Sequence, residues 1–248
     1  MKDNGIYRRL CQNTQNGQKQ LAVLIDPDKV NGSRVQQLAA AAATAGVDFI
    51  FVGGSLVMNN LTREWIHIIK QQTNIPVILF PGSVFQVTDA ADAIFFLSLV
   101  SGRNPDLLIG QHVVAAPLLY QSALEVMPTA YLLIDGGKPT TVSYISNSAP
   151  IPADKPQIAV CTAMAAQMLG MKIIYLDAGS GALNAVPEAM ITEVKQYCNL
   201  PLIIGGGIRT PQQAAGLCRA GADLLVIGNA LETNPNLVFE MTKAIKKL

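Results

Sequence analysis

Residues 199–230, which read NLPLIIGGGIRTPQQAAGLCRAGADLLVIGNA, decide the fold of this chain. Two apolar runs of strand length, 201–204 and 223–227, are each followed directly by glycine. Between them, Thr210 and Pro211 predict the start of a helix, because threonine caps helices and proline fits their first turn. The stretch therefore predicts a βαβ unit in which glycines follow two neighbouring parallel strands.

The same alternation of strand and helix patterns recurs along the 248 residues. That length is typical of one (β/α)8 barrel, and a composition of 50% hydrophobic and 14% charged residues suits strands buried on both faces. We predict an α/β fold with a single domain, residues 1–248, built as a (β/α)8 TIM barrel. The predicted strands are residues 21–25, 49–52, 77–80, 93–97, 130–134, 172–176, 201–204 and 223–227. The predicted helices are residues 3–16, 33–45, 62–72, 105–125 (broken near Pro117), 155–169, 187–197, 211–220 and 235–246, with 138–153 as a polar loop.

One connection is too short for the regular pattern. Only residues 82–92 join the third and fourth strands, whereas a parallel crossover with a helix needs about a dozen residues or more. We therefore predict a modified barrel in which helix 3, the helix after the third strand, is absent or replaced. The thin wall is expected to form an apolar groove, and residues near this flank are its predicted lining. That lining is Val84 and Phe85 with some of Phe95, Phe96 and Leu97, the others pointing into the core.

Polar residues follow several strands, and in this fold those carboxyl ends form the active-site mouth. Asp26 follows the first strand and Ser55 the second, an oxygen pair that suits Mg²⁺. Asp28 is more typical of a turn aspartate. Asp177 ends the sixth strand, where it can hold a substrate hydroxyl, act as a general base or only cap a turn. His112 can reach the mouth, although a structural helix histidine is the commoner role.

A phosphate site is predicted at the glycine turns, because TIM barrels bind phosphate after strands 7 and 8. Glycine lets backbone N–H groups approach an anion closely. We expect the amides of Gly179, Gly207 and Gly228 to contact one phosphate. The alternative is that these glycines only form tight turns.

Composition excludes several classes of function. The formal net charge is +1 without a basic block, so no nucleic-acid partner is expected. No apolar run of about 18 residues predicts a membrane span, although peripheral contact stays open. Four scattered cysteines and a polar N-terminus without a secretory signal favour a cytoplasmic location. The apolar composition and thin wall predict a homo-oligomer, a dimer or a multiple of dimers.

Six segments together resemble the geranylgeranylglyceryl phosphate synthase family, in its second, partly bacterial branch. The resemblance covers almost the whole chain, and YLDAGSG combined with GGGIR and IGNA is its most specific part. A lone GGG would not be specific. The matching segments are LIDPDK (24–29), FVGGSLV (51–57), ILFPGS (78–83), SYISN to GSGA (143–182), IIGGGIRTPQQA (203–214) and DLLVIGNALE (223–232).

The resemblance implies a modified barrel without helix 3 and a prenyltransferase of ether lipid biosynthesis. The family joins a polyprenyl diphosphate, here most simply geranylgeranyl diphosphate, to sn-glycerol 1-phosphate and releases diphosphate. By resemblance, Asp26 and Ser55 match the Mg²⁺ positions, and Asp177 and Asp26 are the implied catalytic residues. The implied glycerol phosphate residues are Tyr175, Leu176, Asp177, Ala178, Gly179, Ser180, Gly181, Gly205, Gly206, Gly207, Gly228 and Asn229.

Two positions depart from the family pattern. Many members have glutamate where Asp177 stands, and a lysine where this chain has Leu24. Any phosphate contact made by that lysine is therefore replaced or missing here. Two other functions are weighed against this one: a phosphate-binding barrel enzyme of another kind, and a non-catalytic lipid- or phosphate-binding protein. The short crossover and DPDK argue against the first, and the presence of Asp26 and Asp177 argues against the second.

Overall fold

Eight parallel strands close into a barrel in sequence order, in a computed structural model that describes residues 2–248. Every strand is hydrogen-bonded to the strands before and after it, and β8 pairs with β1. The predicted TIM barrel is confirmed. The strands are β1 (Gln20–Ile25), β2 (Phe49–Val52), β3 (Val77–Leu79), β4 (Ala93–Leu99), β5 (Glu125–Leu133), β6 (Ile173–Asp177), β7 (Leu202–Gly205) and β8 (Leu224–Ile227).

Helices surround the barrel and cover its amino end. The helices are α1 (Ile6–Gln15), α2 (Gly32–Ala45), α3 (Thr62–Gln72), α4 (Gln111–Gln121), α5 (Thr141–Ser146), α6 (Pro156–Met168), α7 (Glu188–Tyr197), α8 (Pro211–Ala220), α9 (Asn229–Thr233) and α10 (Leu237–Ile245). None of the helices in residues 2–248 is both long and apolar enough to cross a membrane.

Alternating strand residues divide the core into two layers, because successive side chains of a strand point to opposite faces. One set packs outward against the helices, as Ile174 and Leu176 of β6 do. The other set fills the barrel interior, as Ile173 and Tyr175 do. The interior is rich in aromatic rings, whose edge-on and stacked contacts suit their quadrupoles. The rings in contact are Phe51, Phe80, Phe95, Tyr131 and Tyr175.

The amino end of the barrel is closed by α1. Its buried residues Ile6 and Leu10 belong to the interior cluster. The carboxylate of Glu125, at the start of β5, accepts the backbone N–H groups of Ile6 and Tyr7 at 2.9 and 3.0 Å. These N–H groups have no acceptor within their own helix, so the glutamate fixes the helix onto the barrel. Access to the interior is left to the carboxyl end.

The connection from β3 to β4 has no α-helix, as predicted. One 3₁₀ turn, Val84–Gln86, stands in its place. The Gln86 side chain turns inward and bonds to the backbone N–H and C=O of Gly54 at 3.2 and 2.8 Å. The β3–β4 ladder has only two residue pairs, against seven between β4 and β5. This flank is therefore the thinnest part of the wall.

Local details differ from the sequence prediction in several elements. β5 begins at Glu125, five residues before the predicted strand, and α9 was not predicted. Pro117 does not break the helix: α4 continues through it, and the only bond lost is to the carbonyl of the exposed residue Val113. A π-helical turn, Asp106–Gly110, precedes α4. The segment predicted as a polar loop contains α5, because Thr140 and Ser143 form a capping box at its start.

Candidate functional site

A cavity of about 780 Å³ opens at the carboxyl ends of the strands. It runs from a polar rim at β1, β6, β7 and β8 to an apolar wall beside β4 and α4. Its size lies within the range of small-molecule sites, and it combines a few polar groups with apolar lining. The predicted mouth and the predicted flank are thus two ends of one cavity.

Asp177 is the most deeply placed acid of the cavity, and it is buried. Its Oδ2 accepts the hydroxyl of Tyr131 at 2.7 Å, and its Oδ1 accepts the N–H of Gly179 at 2.8 Å. Burial raises the pKa of the Asp177 carboxyl, while these two hydrogen bonds oppose the rise. Both oxygens are oriented, so the carboxylate is held in one geometry toward the cavity.

The glycines after β7 leave the space that Asp177 needs. A Cβ on Gly205 would lie 2.6 Å from the Tyr175 hydroxyl, and one on Gly206 would lie 2.8 Å from Asp177 Oδ1. Gly206 and Gly207 have φ of 80° and 69°, which favours glycine. A Cβ on Gly207 would lie 2.4 Å from the carbonyl oxygen of Asn184. These positions therefore require glycine for both conformation and close approach.

At the turns after β7 and β8, Gly206, Gly207 and Gly228 line the cavity, and their backbone N–H groups have no acceptor among residues 2–248. Their convergence on one rim suits an anion. The Gly179 amide differs from the prediction, because it already donates to Asp177. The remaining cavity residues among the predicted glycerol phosphate residues are Tyr175, Asp177, Ser180, Gly181 and Asn229.

Four residues of that predicted set do not line the cavity, and Gly179, whose amide is held by Asp177, is one of them. The side chains of Leu176 and Ala178 lie in the outer layer, since strand alternation turns them toward the helices. Gly205 is covered by Tyr175. The side chains of Leu176 and Ala178 therefore lie outside the cavity, and only their backbone is near it.

Asp26 stands at the end of β1, with its side chain 18% exposed at the rim. Its Oδ1 accepts the N–H of Asp28 at 3.2 Å and lies 3.0 Å from the position of a Cβ on Gly54. Ser55 lines the same part of the cavity. Asp28 lies in the turn after β1, as expected. Its carboxylate also accepts the backbone N–H groups of Met58 and Asn59, which ties the loop after β2 to this turn. No group of three or more His, Cys, Asp and Glu residues forms a metal cluster among residues 2–248.

Lys29 crosses the mouth and was not singled out by the sequence pattern. Its Nζ donates to Ser180 Oγ at 3.0 Å and lies 3.4 Å from Asp26 Oδ2. Glu232 Oε1 is 3.9 Å from the same Nζ. Burial raises the pKa of Glu232, and the charge of Lys29 opposes the rise. The lysine therefore neutralises two carboxylates and connects the ends of three strands.

Arg209 is a second cation lining the cavity, but the backbone holds its guanidinium. One nitrogen donates to the carbonyls of Leu183 and Gly207 at 2.7 and 3.3 Å, and the other donates to Ala182. These bonds tie the loop after β6 to the loop after β7. Arg209 thus stabilises the shape of the mouth.

The apolar end of the cavity lies where helix 3 is missing. Val84 and Phe96 line it, together with residues of α4 that the sequence did not identify. Phe95 points into the barrel interior and reaches the cavity from below. Leu97, which the prediction also named, lines it too, and the added apolar lining is Val87, Ile94, Leu107, Ala115 and Leu119.

Phe85 corrects the prediction for this groove. Its side chain is 87% exposed and does not line the cavity. Successive residues of a 3₁₀ turn point about 120° apart. Because Gln86 turns inward to Gly54 and Val84 faces the cavity, Phe85 is directed to solvent.

His112 reaches the cavity from α4 and is buried. Its Nε2 lies 3.1 Å from Ser98 Oγ, and its ring packs edge-on against Phe96. Its Nδ1 has no partner among the described atoms. Burial lowers the pKa of His112, so the neutral form is favoured in this apolar wall.

The sequence pattern of the PcrB family matches residues 15–248. The chain belongs to the PcrB family. The geranylgeranylglyceryl phosphate synthase of Chitinophaga pinensis is 53% identical over 242 residues, covering 98% of this chain and 96% of that protein. The synthase of the same name from Spirosoma linguale is 49% identical over 231 residues, 93% of each protein.

A solved structure matches this PcrB-family chain over its whole barrel. It is (S)-3-O-geranylgeranylglyceryl phosphate synthase from Thermoplasma acidophilum in complex with its substrate sn-glycerol-1-phosphate. The TM-score is 0.93 at 37% identity, with 98% of each chain covered. The resemblance read from DPDK, YLDAGSG and GGGIR is therefore confirmed at the level of the family.

Proposed function

We propose that this PcrB-family protein is a geranylgeranylglyceryl phosphate synthase-like prenyltransferase, which joins a polyprenyl diphosphate to sn-glycerol 1-phosphate. One observation carries the proposal: a single cavity places a buried acid and unpaired backbone amides at one end and an apolar wall at the other. These ends suit a small phosphorylated alcohol and a hydrocarbon chain, respectively. The names of the relatives support the same reaction.

The glycerol phosphate is proposed to bind at the turns after β7 and β8. The amides of Gly206, Gly207 and Gly228 would hold the phosphate, and Asp177 would accept a hydrogen bond from the free hydroxyl. The hydroxyl oxygen forms a bond to the first prenyl carbon as the bond from that carbon to diphosphate breaks. The electron pair leaves with the diphosphate, and the hydroxyl proton passes to Asp177, whose raised pKa suits it as a base.

The prenyl chain is proposed to lie along the flank between β3 and α4. Val84, Phe96, Ala115 and Leu119 offer apolar contacts there. Each methylene removed from water contributes about 0.8 kcal/mol, so partial burial of a long chain supplies ample affinity. Binding both substrates in one cavity also makes their encounter unimolecular. Geranylgeranyl diphosphate is the proposed donor.

Magnesium is the proposed cofactor, held by Asp26 and Ser55. One partly exposed carboxylate and a hydroxyl, both lining the cavity, fit a cation that keeps water and phosphate ligands. When bound, the ion would neutralise charge on the leaving diphosphate. In this role Asp26 acts through charge, so Asp26→Asn is expected to remove turnover with little change in Tm.

Self-association is proposed through α4, whose outer side is apolar. Val113, Val114 and Leu118 are 65%, 65% and 49% exposed, and Tyr120 is 83% exposed. An apolar helix face of this kind suits a second copy of the chain. Light scattering should find a dimer or a multiple of dimers, and a monomer at micromolar concentration would contradict the proposal. A cytoplasmic location is also proposed, supported by four free thiols.

Product analysis tests the proposed function. The purified protein is incubated with sn-glycerol 1-phosphate, geranylgeranyl diphosphate and Mg²⁺, and the lipid product is identified by mass spectrometry. We expect the prenyl ether with wild-type protein and not after chelation of Mg²⁺. The glycerol 3-phosphate enantiomer is the substrate control. Absence of an ether product from both enantiomers, with any of several prenyl diphosphates, would refute the proposal.

A further inference from the structure

The proposed reaction assigns no role to Lys29, whose ammonium group lies in the mouth of the cavity. This group lies between Asp26, the proposed magnesium ligand, and Ser180, on the rim beside the unpaired amides. Ser180 in turn donates to Asn229 Oδ1 at 2.8 Å. The lysine head group therefore stands at the boundary between the two proposed substrate regions.

The ion pairs of Lys29 are partly exposed to solvent and can be replaced by other partners. The side chains of Lys29 and Asp26 are 37% and 18% exposed, and Glu232 is 22% exposed. Ion pairs with this access to water contribute little to stability, so another cation can displace the lysine. A lysine is also a compact charge on a flexible stem, with three donors that can change partners.

Few cationic side chains line the cavity. Lys29 and Arg209 are the lysine and arginine residues that line it within the described part of the chain. The guanidinium of Arg209 is held by backbone carbonyls. Leu24 lines the same cavity as an uncharged side chain. Lys29 is the remaining cation able to turn toward a phosphate.

We propose that Lys29 is a placeholder cation, which pairs with Asp26 in the free protein and turns to the phosphate of the bound alcohol once a divalent ion reaches Asp26. The inference rests on the proposed function, because it assumes a phosphorylated substrate at the rim. It assigns Lys29 a role in binding the phosphate. One residue thereby serves two sites in succession.

If Lys29 has this role, substituting it should change the affinity for a divalent ion and the affinity for sn-glycerol 1-phosphate in opposite directions. In Lys29→Met, a divalent ion no longer competes with an internal cation, so its affinity should rise about tenfold, as expected for removing a charge a few ångströms away. The KM for sn-glycerol 1-phosphate should rise by about tenfold or more, since a charge-assisted hydrogen bond is lost. Lys29→Arg, which keeps the charge, should stay closer to wild type in both.

The test measures Mn²⁺ alone, by electron paramagnetic resonance, with no substrate present. Wild type, Lys29→Met, Lys29→Arg and Asp26→Asn are compared, with Lys70→Met as the matched control. Lys70 also pairs with an aspartate, Asp92, at 2.6 Å, but it lies at the amino end of the barrel. We expect tighter Mn²⁺ binding in Lys29→Met, weaker binding in Asp26→Asn and no change in Lys70→Met.

Several results would overturn the inference. Unchanged or weaker Mn²⁺ binding in Lys29→Met would contradict it. Normal Mn²⁺ binding in Asp26→Asn would also contradict it. A fall in Tm of Lys29→Met with loss of both affinities would make the lysine a structural bridge instead. Product formation by the wild-type protein separates the two proposals: if ether forms while Lys29→Met behaves like wild type, only the placeholder role fails.

Discussion

The two ends of the cavity are built in different ways. At β7 and β8, glycine turns bring backbone groups and Asp177 within contact distance of one another. At β3 and β4, two ladder pairs and a single 3₁₀ turn leave an opening that α4 lines with side chains. The polar end depends on backbone conformation. The apolar end exists because the β3–β4 connection has no α-helix. The two ends should therefore respond differently to substitution.

The largest effect is expected at the polar end, from Asp177→Asn. Asparagine keeps the size and can still accept the Gly179 N–H, but it cannot take a proton. We expect kcat to fall by about 10²- to 10⁴-fold, the range found for a general base. The measurement is kcat and KM for both substrates, with Tyr131→Phe as the comparison that removes only the orienting hydrogen bond. Near-normal kcat in Asp177→Asn would leave that residue a turn-capping role.

The next effect tests the backbone of the same end, through Gly207→Ala. Alanine at φ 69° would place its Cβ against the Asn184 carbonyl oxygen, so the turn must shift. We expect the KM for sn-glycerol 1-phosphate to rise by about ten- to a hundredfold, because small displacements disrupt a positioned site. Gly170→Ala is the matched control, since Gly170 also has a positive φ, 86°, but open space around it. Equal behaviour of the two variants would contradict the anion site.

A smaller effect is expected at the apolar end, from Ala115→Phe. The added ring would fill the cavity beside α4, where Ala115 is buried. We expect kcat/KM for geranylgeranyl diphosphate to fall by about tenfold, that for geranyl diphosphate to fall less, and the KM for glycerol phosphate to stay constant. Phe85→Trp is the control, because its exposed side chain predicts no change. An equal fall in kcat/KM for prenyl diphosphates of every length would mean that the prenyl chain does not bind beside Ala115.

The smallest effect concerns stability against pH. Because the pKa of Asp177 is raised in the folded protein, folding favours its protonated form. Its contribution to the free energy of unfolding is therefore largest below the ordinary value of 3.8 and declines as pH rises through the raised pKa. Each unit of elevation corresponds to about 1.4 kcal/mol. Urea unfolding of wild type and Asp177→Asn across this range should show the variant gaining relative stability with pH.

The position of individual side chains was only partly accessible to sequence reasoning. Phe85 was predicted to line the groove, yet the inward turn of Gln86 directs it to solvent. Tyr131, which orients Asp177, was not identified. It lies two residues before Leu133 on β5, and residues two apart on a strand share one face, so the sequence did indicate that Tyr131 faces the barrel interior. Lys29 stood within the DPDK motif, but no local pattern indicated that it reaches Ser180.

The sequence by itself determined the eight-stranded barrel, the missing helix and the acids and glycines of the mouth. These features follow from local rules: periodicity sets strands and helices, chain length limits a crossover, and glycine permits positive φ. Only the tertiary structure decided which groups meet. Tyr131 and Asp177 are 46 residues apart, and Lys29 and Ser180 are 151 apart. Such contacts depend on barrel closure and strand register, which align side chains from distant segments and leave no local signature.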